Sequence, residues 1–213
     1  MDRIFSLDGK VFGFFNKTAD LVLLNLLWLL CSLPIVTVGA STTALYYVAM
    51  KIARNEESYI VRSFFESFRE NCRQATAIWG MEVLLGVVLY FDFYFSSHVP
   101  AQWGRFMFVP FAVIGFIFSV TGCYVFPVLS FFKNSVKNTV KNAFLMAAGN
   151  LQYTLLVLLG TAGPLLMLLL FRNQPVLGSF LLLTASVSFF AWINCHIFFK
   201  MFQRYTPEKS EGF

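Results

Sequence analysis

Four stretches of the chain, Leu21–Met50, Phe106–Phe132, Asn142–Phe171 and Asn173–Phe199, contain no Asp, Glu, Lys or Arg. Each runs for about thirty residues, and a bilayer core asks for roughly 20 apolar residues per helical span. The pattern predicts an all-α, polytopic transmembrane helix bundle, with 1–213 as a single domain. Charges, prolines and polar clusters bound the later spans near 75–95, 105–131, 151–171 and 176–200. The first sixty residues fit two arrangements. In one, spans at 14–33 and 35–51 turn at Pro34, a residue that does not continue a helix undisturbed. In the other, a single span is followed by a re-entrant or interfacial helix, giving five spans instead of six.

Two amphipathic helices are predicted between the spans, at 56–74 and 133–148. In the first, Val61, Phe64, Phe65, Phe68 and Cys72 recur at three- and four-residue steps as one apolar stripe. Arg62–Glu66 and Glu66–Arg69 are opposite-charge pairs on its wet side. Such a stripe rests on lipid or docks a partner. Phe64, Phe65, Phe68, Arg69 and Arg73 are the candidate partner surface, together with Asn25, Thr42 and Thr43. The second helix repeats a Lys-Asn unit every four residues. Lys133, Lys137 and Lys141 thus form a ridge beside Val136, Val140 and Phe144, expected to contact anionic lipid of the inner leaflet.

Composition agrees with the periodicity: 58% of residues are apolar and only 13% charged, against roughly 25% charged in soluble domains. The 16 basic residues exceed the 11 acidic ones, and their placement decides between the two arrangements. With two early spans, 14 basic residues fall on one side, from Arg3 and Lys10 to Arg204 and Lys209, and only Arg105 and Arg172 on the other. With one early span the division is 11 to 5. The positive-inside rule favours the first, with six spans and both termini cytoplasmic. Asp20 then lies inside the first helix, with Lys17 at i−3 as its expected partner. The N-terminal segment is expected to be retained, because the first apolar stretch outruns the h-region of a signal peptide. Nucleic acid is not an expected partner, since the lysine ridge lacks interleaved aromatic or arginine side chains on an aqueous face.

Candidate chemistry is sparse. Glu82 and Asp92 fall in the span at 75–95, and a carboxylate at mid-helix costs about 2.5–3.5 kcal/mol on insertion scales. They are the candidate intramembrane polar site, Glu82 more than Asp92, because Asp92 lies near the outer interface. Gly115, Ser119 and Gly122 share one helix face, and Ala40 and Ala44 another, where helices approach closely. Asn25 and Gln74 are suited to interhelical hydrogen bonds, and His196 to a structural one. Cys31, Cys72, Cys123 and Cys195 lack metal or redox spacing. The chain contains no phosphate loop, no His-Glu-x-x-His and no Gly-x-Ser-x-Gly. The expectation is a protein that is not an enzyme, with no catalytic residues, no metal and no cofactor.

Several segments resemble the YesL-like family. They are Leu-Leu-Asn-Leu-Leu-Trp-Leu-Leu-Cys-Ser-Leu-Pro (Leu23–Pro34), Thr-Val-Gly-Ala-Ser-Thr-Thr-Ala-Leu-Tyr-Tyr (Thr37–Tyr47) and Phe-Phe-Glu-Ser-Phe-Arg-Glu-Asn-Cys-Arg-Gln-Ala (Phe64–Ala75). Phe14–Asp20 and Val140–Phe144 are similar too, and the matched polar positions include Asn25, Pro34, Thr37, Gly39, Thr42 and Thr43. The resemblance implies a small integral protein of the bacterial cell membrane, encoded beside carbohydrate ABC importers. On that basis a non-enzymatic accessory or assembly subunit of an oligosaccharide ABC importer is expected, with the permease subunits as partners. The alternative is a stand-alone solute transporter, proton-coupled through Glu82. The resemblance supplies no catalytic residues.

Overall fold

The computed structural model describes residues 2–56, 59–98, 101–181, 184 and 186–205. Every regular element among them is a helix: α1 (Asp2–Ser32), α2 (Val38–Ala53), α3 (Ile60–His98), α4 (Ala101–Phe131), α5 (Val136–Gly149), α6 (Leu151–Leu170), α7 (Pro175–Leu181) and α8 (Val187–Tyr205). Four apolar helical stretches are long enough to cross a bilayer: Ile35–Ala53, Ile60–Ser96, Phe108–Phe131 and Leu151–Leu170. The chain is therefore read as a multi-pass helical membrane protein.

The turn between α1 and α2 follows from Pro34, which adopts an extended conformation (φ −74°, ψ 112°). Thr37 then satisfies exposed helix-end carbonyls, donating its hydroxyl to Cys31 O at 2.6 Å and to Pro34 O at 2.8 Å. α2 closes on Asn55, whose positive φ of 57° suits the left-handed cap that asparagine tolerates. Lys17 Nζ donates to Asn55 Oδ1 at 2.5 Å, so the expected Lys17–Asp20 pair is replaced by a tie between α1 and the end of α2.

α2 is the centre of the bundle, packed against α1, α3, α4 and α8, with 11 of its 16 residues buried. Small side chains permit this. At Gly39, an added Cβ would stand 2.6 Å from Ala75 O and 2.8 Å from Trp79 Cβ, so α2 meets α3 almost backbone to backbone.

α3 corrects the expectation of a helix at 56–74 separate from a span at 75–95. The two form one helix of 39 residues. No Pro or Gly occurs between Ile60 and Trp79 to break the ladder. Its inward face matches the predicted stripe in part: Phe64 is buried, and Phe68 and Cys72 pack half-buried against the core. Ile60, Ser63, Phe64, Ser67, Ala75 and Ile78 are buried, while Val61 and Phe65 are 46% and 40% exposed. Ser63 receives Lys51 of α2, whose Nζ lies 3.5 Å from Ser63 Oγ. The expected Arg62–Glu66 and Glu66–Arg69 pairs do not form. The ion pairs among the described residues are Arg54–Glu56 at 3.2 Å and Lys133–Glu70 at 2.6 Å.

In the expected last span at 176–200, Thr184 and Ser186 are π-helical between α7 and α8, so the winding changes there. Thr184 bonds back to Phe180 O at 2.8 Å, the local competition by which Ser and Thr loosen a helix. Lys209, counted on the inward side of the charge balance, lies outside the described residues.

Candidate functional site

Glu82 stands on α3 where that helix crosses α4. Its Oε1 lies 3.0 Å from the place a Cβ would occupy on Gly122, so the carboxyl fits because that position has no side chain. The small face of α4 thus admits a carboxyl as well as a helix. Gly115, one face-repeat away, is approached by Leu89 at 3.2 Å.

Two cavities meet at Glu82. The smaller one, of about 380 Å³, lies among α2, α3, α4 and α6 and is edged by Thr42, Tyr46, Ser119, Cys123 and Thr161. Cys123 Sγ and Thr161 Oγ1 are 3.6 Å apart across it. The larger, of about 740 Å³, is a slot among α3, α4 and α5 with nearly apolar walls and Lys137 at its edge. No cation pairs with Glu82 among the described residues. Asp92, ten residues further along α3, is half-buried and belongs to neither cavity.

The proposed partner surface divides. Asn25, Thr43 and Phe64 are fully buried, which removes them from any outer surface. Asn25 Oδ1 accepts the backbone N–H of Ser188 at 3.1 Å, and Ser188 Oγ donates to Leu21 O at 2.7 Å. Ser188 is in the first turn of α8, just after π-helical Ser186, so Asn25 ties α1 to that turn. Thr43 donates to Gly39 O at 2.9 Å, and Thr42 accepts from Trp28 Nε1 at 3.2 Å. Phe64 stacks on the half-buried Phe68, ring centroids 6.3 Å apart. Phe65, Arg69 and Arg73 remain exposed.

The three lysines of the ridge have different surroundings. Lys133 is bound to Glu70, and that carboxylate raises the lysine's pKa above its ordinary value. Lys137 lines the slot, and Lys141 is exposed away from it. His196 Nδ1 donates to Trp192 O at 2.9 Å, a helix-internal bond. The four cysteines are free thiols. Among the described residues no group of three His, Cys, Asp or Glu converges as a metal site.

Some ties had no sequence signal. The Arg54 guanidinium lies over the rings of Phe131 and Phe199, at 5.2 and 5.0 Å, clamping the end of α2 to α4 and α8. Trp79 Nε1 donates to Ile35 O at 2.8 Å, fastening the α1–α2 turn to the middle of α3.

Residues 21–93 match the family model described as "Protein of unknown function, DUF624". Two curated relatives from Bacillus subtilis (strain 168) are similar over most of their length. The uncharacterized protein YesL is 32% identical over 154 residues, covering 70% of this chain and 72% of the relative. The uncharacterized protein YteU is 27% identical over 156 residues, covering 70% and 69%. No solved structure matches the chain.

Proposed function

The chain belongs to the YesL-like, DUF624 family, and from that premise we propose that it is a non-enzymatic accessory or assembly subunit of a bacterial carbohydrate ABC importer. The observation that carries this reading is the free face of α3. Phe65, Arg69, Arg73, Gly80, Leu84, Val87 and Phe91 follow one another at three-, four- and seven-residue steps and all are exposed. One rigid helix therefore offers a charged, aromatic face to water and an apolar face to the bilayer. Gly80 is open, with nothing within 4 Å of an added Cβ. Such a position lets the backbone of a neighbouring helix come close. The importer operons that the family resemblance implies point to the permease subunits as the neighbours in this reading.

The test is purification from mild detergent with and without Gly80→Leu. Wild-type protein brings down permease subunits. The variant loses no thermal stability, because an added Cβ at Gly80 meets nothing within 4 Å, and it loses the permease subunits. Recovery of the protein alone, with sugar uptake unchanged on deletion, overturns the reading.

A second reading is favoured by Glu82. A carboxyl between two cavities, ringed by hydroxyls and without a paired cation, suits a small proton-coupled transporter. It requires the protein alone in liposomes to move a solute, and Glu82→Gln to stop that flux.

A further inference from the structure

We propose that the slot among α3, α4 and α5 seats one acyl chain of an inner-leaflet anionic phospholipid, with the lipid phosphate on Lys137. The slot holds about 740 Å³, and its walls are apolar side chains such as Ile78, Leu85, Ile117, Val125 and Phe144. Its α4 wall runs from Ile114 to Val125, twelve residues spanning about 16 Å of helix, which is half of a roughly 30 Å hydrocarbon core. The slot is one leaflet deep. That length selects an acyl chain over a second transmembrane helix.

Charge selects the headgroup. Lys137 is the lysine that edges the slot, whereas Lys133 is held by Glu70 at 2.6 Å and Lys141 lines neither cavity. Glu82 is the carboxyl on the slot's lining, and it lies against Gly122, which the slot shares with the smaller cavity. Chain burial supplies affinity, and Lys137 supplies preference for an anion. A free phosphate, lacking the chain, has one exposed lysine to hold it.

Native mass spectrometry of the delipidated full chain, titrated with phosphatidylglycerol or phosphatidylcholine, tests this. One phosphatidylglycerol is retained per chain, with about five-fold preference over phosphatidylcholine, the contribution of a single lysine near an anionic headgroup. Lys137→Ala, at an exposed position, keeps the melting temperature and abolishes the preference, while Lys141→Ala keeps it. Ile117→Trp, which fills the slot, weakens retention of both lipids. Equal effects of Lys137→Ala and Lys141→Ala mean a diffuse cationic surface and overturn the site. Displacement by glycerol phosphate as effectively as by whole lipid also overturns it, as does equal retention of the two lipids by wild type.

Discussion

At the residue scale, the glycines of this bundle do different work, although in sequence they look alike. Gly39 faces Ala75 O and Trp79 Cβ at distances no side-chain carbon tolerates, and Gly80 faces open space. Gly39→Ala must push α2 away from α3 and is expected to destabilise by about 1–3 kcal/mol, the usual range for overpacking. Gly80→Ala, gaining helix propensity without a clash, is expected to be neutral or to stabilise by up to about 1 kcal/mol. Thermal melting followed by tryptophan fluorescence in one detergent separates the two. Asn25 is a third case. A leucine there removes the Oδ1 acceptor from the Ser188 N–H, and the loss expected from the same melt is about 1 kcal/mol and under 2. Asn25 was legible as a polar group inside an apolar run. Its partner was not, because 163 residues separate the two and only the fold brings α8 to α1.

At the element scale, helical periodicity carried the all-α class and the long apolar stretches, because a bilayer leaves few other ways to satisfy a backbone. Which face turns inward was legible only in part. In α3 Phe64, Phe68 and Cys72 of the expected stripe reach the core, whereas Val61 and Phe65 are exposed and Ser63 and Ser67 are buried. The π-helical winding at Thr184 and Ser186 was hidden as well, since the residues between Leu181 and Val187 include no Pro or Gly to mark it. Charge on exposed elements is the more local matter. Lys133 at the start of the lysine ridge is tied to Glu70 of α3, which holds the lysine protonated to higher pH. The folded-state pKa is the raised one, so the pair's contribution is complete at neutral pH and disappears as pH rises through the lysine's titration. Both partners are largely exposed, so salt screens the pair and melting is expected to be insensitive to it. Reactivity is the better readout. Glu70→Gln frees more neutral amine, and acetylation of Lys133 at pH 9 should quicken while that of Lys141 does not change. Equal rates in the two proteins would remove the pair.

At the scale of the whole molecule, a charge count constrains parity more than depth. Both termini on one side requires an even number of crossings, and a hairpin that enters and leaves by the same face satisfies that as well as two full spans do. The candidate site shows the same division. Glu82 stands out in sequence as a carboxylate in an apolar run, while Thr42, Tyr46, Cys123 and Thr161 come from other helices and carried no mark of shared location. Depth is set by contacts, and the decisive one is Trp79. It fastens the α1–α2 turn at the middle of α3, and from Trp79 to His98 there are nineteen further residues, about 28 Å of helix. The turn itself is apolar and open, with Leu33, Ile35 and Val36 between 63% and 77% exposed. Such a tip, ending far short of the end of α3, is expected to enter hydrocarbon as a re-entrant hairpin. Two cysteine variants on a background lacking Cys31, Cys72, Cys123 and Cys195 decide this. In intact cells a membrane-impermeant maleimide should label Arg172→Cys, at the exposed turn after α6, and leave Val36→Cys unmodified until detergent is added. Equal labelling of both from outside would restore six full spans, and labelling of Val36→Cys alone would invert the bundle.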